Sequence, residues 1–299
     1  MRRVCYDSGA EYSVTEMVSS KAVVFGDKKT FSLAKILPDE GPVALQIFGS
    51  DPQVMAEAAG ILVERAEVKP FAIDINMGCP VNKIFNNGDG SALMRNPALI
   101  EKIVASVNRA VPLPVTVKLR SGIDGEHINA VECALAAESG GAALVCIHGR
   151  TRVQMYGGTA DREIIKNVKQ SLQIPVISNG DVLSGSDALS MLYETGADGI
   201  AVGRGAVGNP FIFAEILAAL EKTEYAPPST ERRIETALLQ LSLAIEDKGE
   251  RCAVTESRKQ IALYLRSFKG AAQIRARINR AEKFEEVKEA LLLALENEE

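Results

Sequence analysis

Seven short apolar runs, each followed by a helical stretch or a glycine-bearing turn, constrain this chain more than any other feature. They lie at 12–16, 43–48, 71–75, 115–119, 143–147, 175–178 and 199–202. Most are rich in Val and Ile, as strands buried on both faces are. Amphipathic stretches at 52–65, 97–110, 129–138, 161–171 and 186–194 separate them. Repeated strand–helix units imply a parallel sheet, either doubly wound or curled into a barrel. Polar residues at nearly every strand end favour the barrel: Glu16, Gln46, Asn76, Lys118 with Arg120, His148 with Arg150, Asn179 with Asp181, and Gly203 with Arg204. A doubly wound sheet gathers its site at one switch point, whereas a barrel gathers it from all strand ends. No Gly-x-Gly-x-x-Gly follows an early strand, as a dinucleotide-binding sheet would show.

An eighth strand finds no place, because residues 1–9 read as the tail of a helix ending at a glycine. The expected fold is therefore an α/β, TIM (β/α)8-type barrel lacking its first strand, over residues 1–225. Two prolines in Ala226-Pro227-Pro228-Ser229-Thr230 stop one helix, and Ser/Thr then cap the next, so 226–230 reads as a linker. Residues 231–299 carry no strand pattern and read as a C-terminal all-helical domain.

Composition excludes several classes. There is no apolar run of about 18 residues, so no membrane span is expected, and no apolar segment follows the opening Met1-Arg2-Arg3 as in a signal peptide. The five cysteines, Cys5, Cys79, Cys133, Cys146 and Cys252, form no Cys-x-x-Cys pair. That argues for a reducing cytoplasm and against a disulfide framework or structural zinc. With only His127 and His148 as histidines, no metal site is expected.

The candidate chemistry begins at Asp74-Ile75-Asn76-Met77-Gly78-Cys79-Pro80, where an apolar run carrying a carboxylate stops in a turn that presents a cysteine. A thiol there is either a small buried residue or a proton donor, since a free cysteine with pKa of about 8.5 is mostly protonated at neutral pH. Two late glycine turns, Ser178-Asn179-Gly180-Asp181 and Val202-Gly203-Arg204-Gly205, occupy the usual phosphate-binding position of barrels. Lys118 and His148 end neighbouring strands; the lysine either tunes a flavin's pyrimidine edge or lies solvated on the rim. Nine basic residues, Arg251, Arg258, Lys259, Arg266, Lys269, Arg275, Arg277, Arg280 and Lys283, are opposed in that stretch only by Glu256 and Glu282. On a helix, Arg258, Arg266 and Lys269 share one face, and Ile261, Leu265 and Phe268 form the core-facing stripe. Such an imbalance on an acidic chain of net charge −5 reads as a footprint for a polyanion.

Taken in order, these stretches resemble the tRNA-dihydrouridine synthases, most closely the bacterial B-type branch. The match runs through Val14-Thr15-Glu16-Met17-Val18-Ser19, Gln46-Ile47-Phe48-Gly49-Ser50, the cysteine turn and Gly88-Asp89-Gly90-Ser91-Ala92-Leu93. It continues through Val117-Lys118-Leu119-Arg120, His148-Gly149-Arg150-Thr151-Arg152 and both glycine turns, into Arg258-Lys259, Tyr264-Leu265 and the segment 275–280. The resemblance implies FMN-dependent, NADPH-using reduction of tRNA uridines to dihydrouridine. In it Cys79 gives the proton to uracil C5, and reduced FMN gives hydride to C6. Asn76 would bind the uracil or flavin edge. Gln46, Lys118 and His148 would contact FMN, with Asn179, Gly180, Asp181, Gly203 and Arg204 around its phosphate. Arg120, Arg258, Lys259, Arg266, Lys269, Arg275 and Arg277 would contact tRNA. No membrane and no obligate protein partner are implied.

Two departures stand out. The family's opening strand, whose end contacts flavin, is absent, which leaves two unpaired edges; the expectation is an upstream start or weak FMN binding. Arg162 stands where the family usually has tryptophan. Three other readings compete: a dihydroorotate dehydrogenase-like FMN barrel, which leaves the basic tail without a use; a non-enzymatic RNA-binding protein; and a phosphate-binding barrel lyase, which leaves both cysteine and tail unused.

Overall fold

The structure is a computed structural model describing residues 1–266, 268 and 270–296. Lys269, expected in the basic face, lies outside the described residues. Eight strands form one parallel sheet: β1 (Ser13–Val14), β2 (Val18–Ser19), β3 (Val43–Phe48), β4 (Ala72–Asn76), β5 (Val115–Arg120), β6 (Leu144–His148), β7 (Val176–Asn179) and β8 (Gly199–Ala201). The order is β1-β3-β4-β5-β6-β7-β8, with β2 also on β3. Every apolar run therefore supplies a strand, and those at 71–75, 143–147 and 175–178 are displaced by a single residue toward the polar end.

The run at 12–16 differs, because only Ser13–Val14 of it is strand, and a second short strand, β2, follows it at Val18–Ser19. Val14 pairs with Ala44 and Val18 with Ile47, so one extra residue is accommodated as a bulge. Thr15 repairs the ladder there: its amide donates to the Ala44 carbonyl, and its hydroxyl accepts from the Gln46 amide at 3.0 Å. Together β1 and β2 fill one position, giving the seven that the pattern implies. Among the described residues, β8 pairs with β7 alone, so the sheet is a curled TIM-type barrel left open between β8 and β1/β2.

Alternation along the strands sorts side chains by face. Ile73, Ile75, Val117, Leu119, Val145 and Ile147 are fully buried and share one face. Gln46, Asp74, Thr116, Lys118, Cys146, His148 and Asn179 share the other by register. The Lys118 ammonium reaches the Asn179 carbonyl oxygen at 3.0 Å, from β5 across to β7. A bond that skips a strand needs a concave face, so the polar face is the barrel interior. Capping explains where the flanking helices begin. Asp51 accepts from the Gln53 and Val54 amides ahead of Pro52–Arg65, and Asn96 from Leu99 ahead of Pro97–Ala110, each cap being worth about 1 kcal/mol. Both helices start at proline, where the absent N–H costs nothing.

Internal packing divides the chain into two compact units, Glu11–Val182 with Ser186–Gly203, and Met1–Ala10 with Leu183–Gly185 and Arg204–Glu299. This division differs from a boundary at 226–230. The segment 223–229 has no regular structure, and Ser229 caps the helix Thr230–Lys248, but Phe211 already belongs to the helical core. That core takes Ile234, Ala237 and Leu241 from Thr230–Lys248, Val254 and Ile261 from Glu250–Ala262, Ile274 and Ile278 from Ala271–Ile278, and Val287, Leu291 and Ala294 from Phe284–Glu296. Spacings of three, four and seven place each set on one helix face. Gln240 donates to Gln260 and accepts from the Tyr264 hydroxyl at 2.8 Å, so the polar groups within this core are paired. The short helix Arg2–Tyr6 ends in a turn at Gly9, whose φ of +102° suits glycine. No helix among the described residues is long and apolar enough to cross a membrane.

Candidate active site

The cysteine turn is built from the end of β4 outward. Asn76 closes it: its Oδ1 accepts from the amides of Gly78 at 3.2 Å and Cys79 at 2.9 Å, a side chain standing in for a backbone turn acceptor. Arg120, at the end of β5, donates from Nε to the Gly78 carbonyl at 2.8 Å. The Cys79 carbonyl accepts from the Ser91 hydroxyl at 2.7 Å, which fastens the turn to the 3-10 helix Gly90–Arg95. Gly90 has φ +60°, and a Cβ there would sit 3.1 Å from both Cys79 Cβ and its carbonyl oxygen. Only glycine lets these two segments approach so closely. Cys79 is thus fixed from three sides, with its side chain largely shielded from bulk water.

Behind the turn lies a buried polar chain. Asn76 Nδ2 donates to Gln46 Oε1 at 3.0 Å, Gln46 Nε2 donates to Asp74 Oδ2 at 2.7 Å, and Thr116 Oγ1 donates to Asp74 Oδ1 at 2.5 Å. Burial pushes the Asp74 carboxyl above its ordinary value, against the hydrogen bonds from Thr116 and Gln46 and the nearby Lys118 charge.

On the other side of the mouth, His148 Nδ1 faces the Arg150 amide at 3.3 Å. Nδ1 is then the acceptor, and Nε2 carries the proton. Burial, reinforced by the positive charges of Lys118, Arg120 and Arg150, pushes the His148 pKa down to about 3. The imidazole is neutral at physiological pH and offers one N–H donor.

Two buried arginines hold the segment after β6. Arg120 Nη1 donates to the Thr151 and Met155 carbonyls. Arg150, 2% exposed, donates to the Gly157 and Gly158 carbonyls and pairs with Asp181 at 2.8 Å. Asp181 also accepts from the Ala160 amide and has φ +56°. Loop carbonyls and amides left inside a fold need such partners. Arg152 lies over the Phe85 ring, 3.7 Å from its centroid, and donates to Asn82.

The structure therefore brings together Gln46, Asn76, Cys79, Lys118, Arg120, His148, Asn179, Gly180 and Asp181 in the barrel unit. Gly203 ends that unit exposed, and the exposed Arg204 opens the 3-10 turn Arg204–Ala206 of the other. In the helical unit Lys259, Arg266 and Arg277 are exposed, and Arg275 is half-buried. Ile261 and Leu265 are buried and Phe268 packs beside them, as the stripe implies. Arg258 departs from the exposed basic face: its Nε and Nη2 both donate to the Ala281 carbonyl, at 2.9 and 2.6 Å, so it braces the helical core. Arg162, in tryptophan's usual place, reaches Ser190 and Glu194 at 2.5 Å each, filling the position with an ion pair. Asp74, Thr116, Gly90, Ser91 and Arg150 went without roles in the sequence. The run Gly88-Asp89-Gly90-Ser91 was the available signal, because paired glycines imply close backbone approach.

Fold and site define an α/β-barrel enzyme whose polar constellation sits at the C-terminal ends of its strands, with a cysteine turn at its centre. The family model for dihydrouridine synthase matches residues 1–298, and the chain belongs to that family. It is 38% identical over 282 residues to tRNA-dihydrouridine synthase B of Pseudomonas aeruginosa, covering 93% of this chain and 83% of the relative. It is 41% identical over 279 residues to the probable tRNA-dihydrouridine synthase 1 of a Synechocystis species, covering 93% and 77%. Among solved structures, histamine dehydrogenase of a Rhizobium species superposes with a TM-score of 0.54 at 12% identity, over 87% of this chain and 45% of that one. At that identity the likeness concerns the fold alone.

Proposed function

We propose that this protein reduces uridines in tRNA to 5,6-dihydrouridine, with FMN as cofactor, NADPH as reductant and Cys79 as general acid, in the cytoplasm. The observation that carries this reading is the Cys79 turn, held by Asn76, Arg120 and Ser91 at the barrel mouth.

The donor set suits a flavin mononucleotide. Lys118 supplies a cation and His148 a neutral N–H on the interior face, which matches the electron-rich pyrimidine edge of a reduced flavin. Gly180, at φ +125°, brings backbone close to His148, where a Cβ would also strike Ala160. Lys118, His148, Asn179, Gly180 and Gly203 are the residues proposed to hold the cofactor. FMN, when bound, supplies a hydride to one carbon of the uracil double bond. Gln46 and Asp181 spend their polar atoms within the protein, so their part is to shape the pocket.

Cys79 then gives its proton to C5 of the uracil. A protonated thiol serves best when the proton transfer is short and water is excluded, and the fixed turn supplies that. Arg120 stays bound to the turn and to the loop beyond it while the substrate enters. Because a stacked base cannot reach the barrel mouth, the target uridine must leave its stack, and the exposed Lys259, Arg266 and Arg277, with the half-buried Arg275, are proposed to hold the tRNA backbone meanwhile.

Dihydrouridine mapping in tRNA from cells with and without the gene tests the reading. Specific positions should lose the modification on deletion and regain it with the wild-type gene. A Cys79→Ala enzyme should reduce tRNA at least 100-fold more slowly while still oxidising NADPH. Unchanged dihydrouridine on deletion, together with no tRNA-stimulated NADPH oxidation by the purified protein, would overturn it.

A further inference from the structure

The buried hydrogen bonds from Cys79 to Asp74 all run in one direction. Gly78 and Cys79 present backbone N–H groups, which can only donate, so Asn76 must turn its oxygen toward them. Its amide nitrogen therefore points back into the barrel and donates to the Gln46 oxygen. Gln46 must in turn aim its nitrogen at the next partner, and that partner is the Asp74 carboxylate. Both Asp74 carboxyl oxygens accept, one from Gln46 and one from Thr116, so this end of the chain calls for the Gln46 nitrogen. Either amide alone could flip at little cost. Two amides in series between donor-only and accepting ends cannot flip without leaving buried groups unsatisfied. Thr116, which donates to the other carboxylate oxygen, holds Asp74 from β5.

We infer that Asp74 is a positioning residue for the proton-transfer step, acting through Gln46 and Asn76 to fix the backbone at Cys79 and hence the aim of its thiol. Asp74 does not touch the thiol; its effect crosses from β4 to β3 and back before it ends at the Cys79 amide. The inference rests on the proposed general-acid role of Cys79, but the geometry it concerns can be read without any turnover.

The test is the rate of iodoacetamide alkylation at Cys79, followed by peptide mass spectrometry on the protein as purified, with exposed Cys252 as internal control. In Asp74→Leu the turn should loosen, and Cys79 should alkylate at least threefold faster with Cys252 unchanged. Thr116→Val, which keeps the strand's shape, should show the same change in smaller degree and serves if the leucine variant fails to fold. Single-turnover dihydrouridine formation should fall about tenfold in Asp74→Leu, while flavin reduction by NADPH stays within twofold. Alkylation at Cys79 within twofold of wild type in the folded variants would overturn the inference, and so would a parallel rise at Cys252, which indicates general loosening. If wild-type protein forms no dihydrouridine, the proposed function fails while the alkylation comparison still decides the role of Asp74.

Discussion

His148 shows how a single residue's chemistry is set by what surrounds it. Burial and three neighbouring cations hold its folded pKa near 3, against about 6.5 when unfolded. The unfolded chain thus takes up a proton that the folded one refuses. This residue's contribution to stability is complete above pH 6.5 and is lost progressively as pH falls from 6.5 toward 3. At pH 5 the loss is roughly 2 kcal/mol, worth about 3 °C in melting temperature for a chain of this size. His148→Gln, which cannot titrate, should show a correspondingly smaller drop in melting temperature between pH 7.5 and pH 5. Equal drops in both proteins would show that His148 is not the buried neutral base described. The position of Cys79, Asn76, Lys118 and His148 at or just past strand ends was legible in the sequence, because an apolar run that stops in polar residues announces itself. What Arg120 and Arg150 do was not. A strand-end arginine looks the same in sequence whether its guanidinium meets a substrate phosphate or, as here, the carbonyls of its own loop.

Among the elements, the segment between β6 and the helix Arg162–Ser171 depends on buried arginines more than on its own secondary structure. Arg150→Met should free this loop and take from Asp181 its guanidinium partner. Gly157 and Gly158 then lose their guanidinium donor, an unsatisfied buried carbonyl costing about 1–3 kcal/mol, and local opening follows. Limited trypsin digestion should then cut after Arg152 at least tenfold faster than in wild type. A resistant loop would mean that Arg120 alone holds it. The strands themselves were readable, since apolar runs four to six residues long between glycine or proline leave little choice. The break between β1 and β2 was not, because an extra residue in a strand leaves no mark on the hydrophobic pattern. Its register appears only when the partner strand is in place. The 3-10 helix Gly90–Arg95 was equally hidden, its glycines being intelligible only once the Cys79 turn lies against them.

At the scale of the molecule, the basic residues of the helical unit divide into two kinds that the sequence counts alike. Arg277 is exposed and Arg275 half-buried, while Arg258 is committed to the Ala281 carbonyl. An Arg275→Glu, Arg277→Glu double variant should weaken tRNA binding at least tenfold and flatten its salt dependence, by about one in slope for each phosphate no longer neutralised. Arg258→Ala should leave that slope unchanged and lower the thermal stability of the protein instead. Filter binding across a salt series separates the two, and a slope altered by Arg258→Ala would show that it too meets phosphate.

The helical unit is assembled from three stretches of chain, with Met1–Ala10 ahead of the barrel and Arg204–Glu299 behind it. Within it, the helix Arg2–Tyr6 buries Val4 and Cys5, and the Tyr264 phenol lies close enough for an ionised Cys5 to raise its pKa. A segment ahead of the barrel in chain order therefore cannot reach its native partners until the chain beyond the barrel has been made. Closing that interval carries the entropy of a loop as long as the barrel unit itself, and pairings so distant in sequence form slowly. During synthesis the barrel strands can pair while Val4 and Cys5 of this short helix are still waiting for the surface that will cover them.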